Sequence, residues 1–218
     1  MNREIRSYVL RQGRTTPSQQ RALDDLFPKF GTPFSERFLN FRETFERTAP
    51  VVLEIGSGMG ETTAAIACAN PGIDYLAVEV HGPGVGSLLK KIAELDLKNL
   101  RLIRHDAVEV LEKMIPDASL AGLHLFFPDP WPKKRHHKRR IVQPPFAALA
   151  ARKLAADGYF HAATDWPEYA EHMDAALSAE PMLKKTDQAK DRPVTKFERR
   201  GIGLGHPVRD LLFLRRQE

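Results

Sequence analysis

The stretch from Val51 to Ala69 limits the fold more than any other. Val51-Val52-Leu53-Glu54-Ile55 is a short apolar run, and Gly56-Ser57-Gly58-Met59-Gly60 follows it at once. Residues 61–69 then read as a helix. A buried strand that passes through a glycine turn into a helix is the nucleotide-binding end of a doubly wound α/β sheet. The residues around the turn narrow the ligand. A dinucleotide fingerprint has its third glycine at position 61, where pyrophosphate meets the helix N-terminus; here that position is Glu61, and Glu54 precedes the turn. Carboxylates repel pyrophosphate and suit a cation. S-adenosylmethionine (SAM) carries an ammonium and a sulfonium and no phosphate, so it fits, and a nicotinamide dinucleotide is disfavoured. Glu54, Gly56 and Gly58 are the first candidate cofactor-binding residues.

The alternation continues along the chain. Residues 73–80, 100–104, 119–127 and 159–164 read as further strands, and residues 82–95, 108–114, 145–156 and 168–178 as helices between and after them. Apolar residues at 34, 38, 41 and 45 predict an amphipathic lead-in helix over 34–47, with Ser35 as a possible cap. Residues 180–195 read as a polar loop. The segments 195–200 and 208–214, around Gly201, Gly203 and Gly205, read as an antiparallel hairpin. The expected fold is α/β: Rossmann-like, with a mostly parallel seven-stranded sheet and a C-terminal antiparallel hairpin over residues 34–218. Residues 1–33 are read as a basic arm with one short helix, either a disordered tail or an arginine-rich segment that orders on RNA. Glu79 closes the second strand, where an acid accepts both ribose hydroxyls of a bound nucleoside. Asp106 follows the third. It can accept from the adenine amino group or cap the next helix, and the two roles are compatible.

The fourth strand leads into Phe127-Pro128-Asp129-Pro130-Trp131-Pro132. The prolines bias their predecessors to extended backbone, so the strand must end in a stiff loop that carries Asp129. Ligands of open parallel sheets bind beyond the carboxyl ends of the strands. Positions 133–140 then hold Lys133, Lys134, Arg135, Lys138, Arg139 and Arg140, with His136 and His137 and no acid. A charge run is usually a solvated face, but solvation requires neither the prolines nor Asp129 and Trp131. One carboxylate against a basic loop indicates a substrate that carries phosphates.

Composition agrees. Net charge is +5 over 218 residues, which favours an anionic partner. No apolar run reaches the length of a membrane span, and the N-terminus has no apolar core like a secretory signal, so a cytoplasmic location is expected. The single cysteine, Cys68, excludes an internal disulfide and lies in an alanine-rich stretch where a buried structural role is expected. None of the histidines makes a metal-ligand pattern, so no metal is expected.

Four stretches together resemble the TrmB family of bacterial tRNA (guanine-N7-)-methyltransferases. They are Glu54 to Gly60, Phe127 to Gln143, Thr164-Asp165-Trp166 and Arg192-Pro193-Val194-Thr195-Lys196-Phe197-Glu198, with Arg11-Gln12-Gly13-Arg14 similar to the family's arm. The first is shared by many methyltransferases; the second and last are specific to this family. The resemblance implies SAM contacts at Glu54, Glu79, Asp106 and Asp129, and an active-site role for Asp129. It implies substrate contacts at Lys133, Asp165, Thr195, Lys196, Phe197 and Glu198, and RNA contacts from Arg135, His136, His137, Lys138, Arg139 and Arg140. The implied partner is tRNA, with no obligatory protein partner, and members occur as monomers and as dimers. The implied target, a guanine N7 in the variable loop, bears an in-plane lone pair and no proton, so no general base is required. Either Asp129 or Asp165 could stabilise the cationic product ring, and Phe197 could stack on the base or belong to the core. The rival readings are a SAM enzyme with another substrate and a non-catalytic tRNA-binding protein.

Overall fold

Strand β1 (Val51–Ile55) is buried along its whole length and has a parallel neighbour on each side. In this computed structural model, residues 6–8, 13–188, 192–193, 198 and 207–217 are described. Side chains alternate across a strand. Val51, Leu53 and Ile55 therefore join one hydrophobic core, while Val52 joins the other, and Glu54 faces the same side as Val52. The remaining strands are β2 (Asp74–Val78), β3 (Leu100–Ile103), β4 (Leu120–Phe126), β5 (Leu154–Thr164), β6 (Leu183–Thr186) and β7 (Arg209–Arg215), in the order β3-β2-β1-β4-β5-β7-β6. Strands β1 to β5 pair in parallel; β7 runs antiparallel to β5, and β6 antiparallel to β7. This is the expected seven-stranded α/β sheet.

Helices cover both faces. The core on one side takes in residues of α1 (Pro17–Phe30), α3 (Glu61–Ala69) and α4 (Gly82–Glu94). The other takes in α2 (Phe41–Phe45), α5 (Ala107–Lys113), α6 (Pro144–Lys153) and α7 (Pro167–Ser178). The chain leaves β1 towards β2 and β3, then returns to β4 on the opposite side. The crossovers thus part at the carboxyl ends of β1 and β4, which opens a crevice there.

Several features differ from the sequence reading; Cys68, expected to be buried, is exposed. The arm's one short helix is the 14-residue α1, closed at its start by a capping box of Thr16 and Gln19 with Pro17 in the first turn. Ala22 and Phe30 are core residues, so α1 packs as part of the sheet domain. The lead-in helix shrinks to α2, because Asn40 caps it by accepting from Arg42 and Glu43, and Phe34 stacks instead on His105. Helix α6 ends at Lys153, and Leu154 already pairs with Leu120 as β5; pairing overrides the helical preference of the alanines. Among the described residues the antiparallel pair at the sheet edge is β6 (183–186) with β7. Strand β6 is short with two exposed lysines, which suits an edge but leaves a weak pattern in sequence. Within the expected partner, residues 195–197, 199 and 200 lie outside the described residues, as do 201–206 of the expected turn.

Candidate active site

The glycine turn is shaped by Glu79. One carboxylate oxygen accepts from Gly58 N at 2.8 Å, and the other accepts from Val80 N and His81 N at 2.8 Å each. Gly56 and Gly58 have φ of 77° and 55°, values that favour glycine, and a Cβ on either would meet nothing within 4 Å. The open space above them is the cleft. Gly84 of α4 lets the helix approach: a Cβ there would lie 2.4 Å from Gly58 O.

A cleft of about 260 Å³ lies at these strand ends, lined among others by Gly56, Gly58, Glu79, His105, Phe127 and Asp129. Glu54 precedes Ile55, which lines the cleft, and has 3% of its surface exposed. One oxygen accepts from Thr63 Oγ1 at 2.9 Å; the other is buried with no hydrogen-bond partner. Burial, only partly offset by Thr63 and reinforced by Glu79, raises its pKa to about 7. A buried carboxylate oxygen without a donor fits an ammonium, and the space over Gly56 and Gly58 fits the body of a nucleoside. The residues therefore suit SAM. Asp106 caps α5 by accepting from Val108 N at 2.8 Å and Glu109 N at 3.4 Å. It lines an adjoining groove, while its neighbours His105 and Ala107 line the cleft.

Asp129 stands at the mouth. Its residue is exposed, yet partial desolvation holds the carboxyl above the usual range. The loop that carries it is bounded by two left-handed residues, Phe127 (φ 52°) and Trp131 (φ 46°). Such conformations cost on the order of 1–3 kcal/mol each and persist where surroundings enforce them. Phe127 N donates to Ala163 O at 2.8 Å, which extends β4 beside β5. Trp131 Nε1 donates to Ser7 O at 3.1 Å, and the Arg139 guanidinium lies 4.3 Å from the Trp131 ring centre. Asp165 follows the end of β5, half-buried. Phe126 pairs with Ala163 in the parallel register of β4 and β5, so Asp129 and Asp165 follow the ends of neighbouring strands.

The basic loop is a 3-10 turn, Lys134–Arg139, with no buried residue. Lys133, Lys134, Arg135 and Lys138 are exposed, and His136, His137 and Arg139 half-buried. Arg140 corrects the sequence reading. Only 2% of it is exposed. Its Nε donates to Pro130 O at 2.9 Å, its two terminal nitrogens each reach Glu168 at 3.3 Å, and it lies over Tyr169. Arg140 is thus a strut between the Asp129 loop and α7, not an open RNA contact. Glu198 is paired with Arg192 at 2.5 Å, so its carboxylate is engaged within the protein. Thr195, Lys196 and Phe197 lie outside the described residues. Sequence reasoning missed Ser7 and Tyr8 at the cleft; nothing in their local pattern marks them.

A sheet of this order with a carboxylate-lined cleft at the β1–β4 crevice is a SAM-dependent methyltransferase fold. Solved structures of that class agree in fold: the 16S rRNA methyltransferase KamB (TM-score 0.60, 18% identical, covering 83% of this chain and 95% of that one) and a Haemonchus contortus phosphoethanolamine N-methyltransferase in complex with SAM (TM-score 0.52, 11% identical, 78% and 49%). Residues 48–211 match the family described as "Putative methyltransferase". The tRNA (guanine-N(7)-)-methyltransferase of Aromatoleum aromaticum is 58% identical over 99% of this chain and 85% of its own. That of Methylobacillus flagellatus is 57% identical over 98% and 92%. The chain belongs to the tRNA (guanine-N7-)-methyltransferase family.

Proposed function

We propose that this protein transfers a methyl group from SAM to N7 of a guanine in the variable loop of tRNA. The observation that carries the reading is the juxtaposition of a cation-suited cleft, Asp129 at its mouth and an exposed basic turn beside it. When bound, SAM supplies an electrophilic methyl on its sulfonium. Glu54 is suited to the cofactor's ammonium, Glu79 to the ribose hydroxyls and Asp106 to the adenine amino group. Guanine N7 needs no base, so the protein's contribution is chiefly alignment, which can supply roughly 7–11 kcal/mol. Asp129, partly desolvated at the mouth, stabilises the cationic product ring or accepts from guanine N1–H and N2–H, with Asp165 on the neighbouring strand as the second candidate. Lys133 and the exposed side of the basic turn hold tRNA phosphates. Thr195, Lys196 and Phe197 fix the base. The setting is the cytoplasm, and the protein acts as a monomer or homodimer without an obligatory partner. Among the described residues no helix is long and apolar enough to cross a membrane.

N7-methylguanosine is cleaved at its own position by borohydride reduction and aniline. Treating tRNA before and after incubation with protein and SAM should create one new cut, in the variable loop. A cut elsewhere would reassign the target, and methyl incorporation without a cut would remove N7 from the account.

A further inference from the structure

Arg192 opens the stretch Arg192 to Glu198, and its role there is set by four contacts. Its guanidinium holds two carboxylates at once. Nη1 and Nη2 reach the two oxygens of Glu198 at 2.5 and 3.3 Å, while Nε and Nη2 reach those of Asp210 at 2.7 and 3.0 Å. This uses most of the five N–H donors that the group possesses, in two bidentate forks that no lysine can reproduce. The guanidinium also lies over the rings of Phe126 and Phe127, at 5.4 and 5.5 Å. Its side chain is 6% exposed and that of Glu198 13%, so water screens the pair little.

The anchor on the far side is itself fixed. Asp210 stands on β7 opposite Ala163, whose carbonyl accepts from Phe127 N. Its carboxylate also meets Nε2 of the buried His161 at 2.8 Å. The clamp therefore sits at the height where β4 and β5 give way to Asp129 and Asp165. Arg192 and Glu198 flank Thr195, Lys196 and Phe197 in sequence, and one guanidinium ties both to Asp210 of β7 while lying over Phe126 at the end of β4 and over Phe127.

We infer that Arg192 is a positioning residue for methyl transfer: it holds Glu198, which ends the base-binding stretch of the sequence, to Asp210 of β7, and touches neither SAM nor RNA. The inference rests on the reading that residues 195–197 bind the target guanine, and the test separates the two. Turnover on tRNA and SAM affinity by calorimetry would be measured for Arg192→Ala, Arg192→Lys, Phe197→Ala and the double variant Arg192→Ala/Phe197→Ala. Arg192→Ala should lower kcat by at least about tenfold and leave the Kd for SAM within about twofold. Arg192→Lys should fail to restore kcat, because charge alone does not rebuild two forks. The double variant should lose no more than the worse single, since both act through one segment. Asp210→Asn weakens the same clamp from its other side and serves if Arg192→Ala does not fold; it should lower kcat with SAM affinity kept. Normal kcat in Arg192→Ala with a loss in Phe197→Ala would overturn the positioning role and keep the base-binding segment. Normal kcat in Phe197→Ala would overturn the segment's role and, with it, this inference. Loss of SAM affinity in parallel with kcat would mean that Arg192 only supports the fold.

Discussion

Glu54 and Asp210 carry their charges in opposite circumstances, and pH separates them. Burial raises Glu54 from an ordinary 4.5 to about 7. The folded state without cofactor therefore holds a proton there that the unfolded chain releases, and stability falls as pH rises from about 4.5 through 7. Glu54→Gln should remove that fall, seen as urea midpoints that diverge from wild type across this range, and should weaken SAM binding by about tenfold or more. Equal slopes in both proteins would mean that Glu54 is already ionised. Burial pushes Asp210 up, but the hydrogen bonds from His161 and Arg192 outweigh it and hold it at about 2. Its contribution is present above the ordinary carboxylate range and is lost as pH falls towards 2. Asp129 needs neither proton nor base chemistry for N7 attack. Asp129→Ala should lower turnover by about a hundredfold or more, the scale of a lost transition-state contact, while tRNA binding in gel-shift titrations stays close to wild type. Near-normal turnover would move the role to Asp165.

At the scale of elements, the basic turn divides by burial. Lys138 and Arg139 face outward to differing degrees, whereas Arg140 is bonded to Pro130 O and Glu168. Replacing Lys138 and Arg139 by alanine should weaken tRNA binding and flatten its salt dependence by about one unit of slope per lost phosphate contact. Arg140→Ala should leave the slope unchanged and cost about 1–3 kcal/mol of stability, a group of lost charge-assisted hydrogen bonds. The readouts are Tm and binding across a salt series, and a flatter slope in Arg140→Ala would return that residue to the RNA face. No feature of a run of like charges tells which member turns inward; the partner, Glu168, lies 28 positions away. Local signals did better where geometry is local. The strand, glycine turn and helix over residues 51–69 stand where the apolar run and the glycines put them, with β1 and α3 ending at the expected residues. Strand β6 and the first residues of β5 were illegible because each depends on a partner strand distant in sequence.

At the scale of the whole molecule, the order of strands brings the separate motifs to one end of the sheet. The alternation of apolar runs and helical periods made the doubly wound sheet readable, and the strand ends then placed Glu79 and Asp129 on one cleft, with Asp106 on the adjoining groove and Asp165 just past the end of β5. What sequence could not supply was the contact between distant pieces. Trp131 on Ser7 and the joint hold of Arg192 on Glu198 and Asp210 depend on the folded path and leave no periodic trace. The net charge of +5 adds attraction for tRNA without choosing the atom that is methylated. That choice is the centre of the account, and two tRNA transcripts test it directly. They differ only at the variable-loop guanine, present in one and replaced by 7-deazaguanine in the other, and each receives labelled SAM and protein. Label in the guanine transcript alone is the predicted result. Label in both, at equal level, would contradict transfer to N7 at that site.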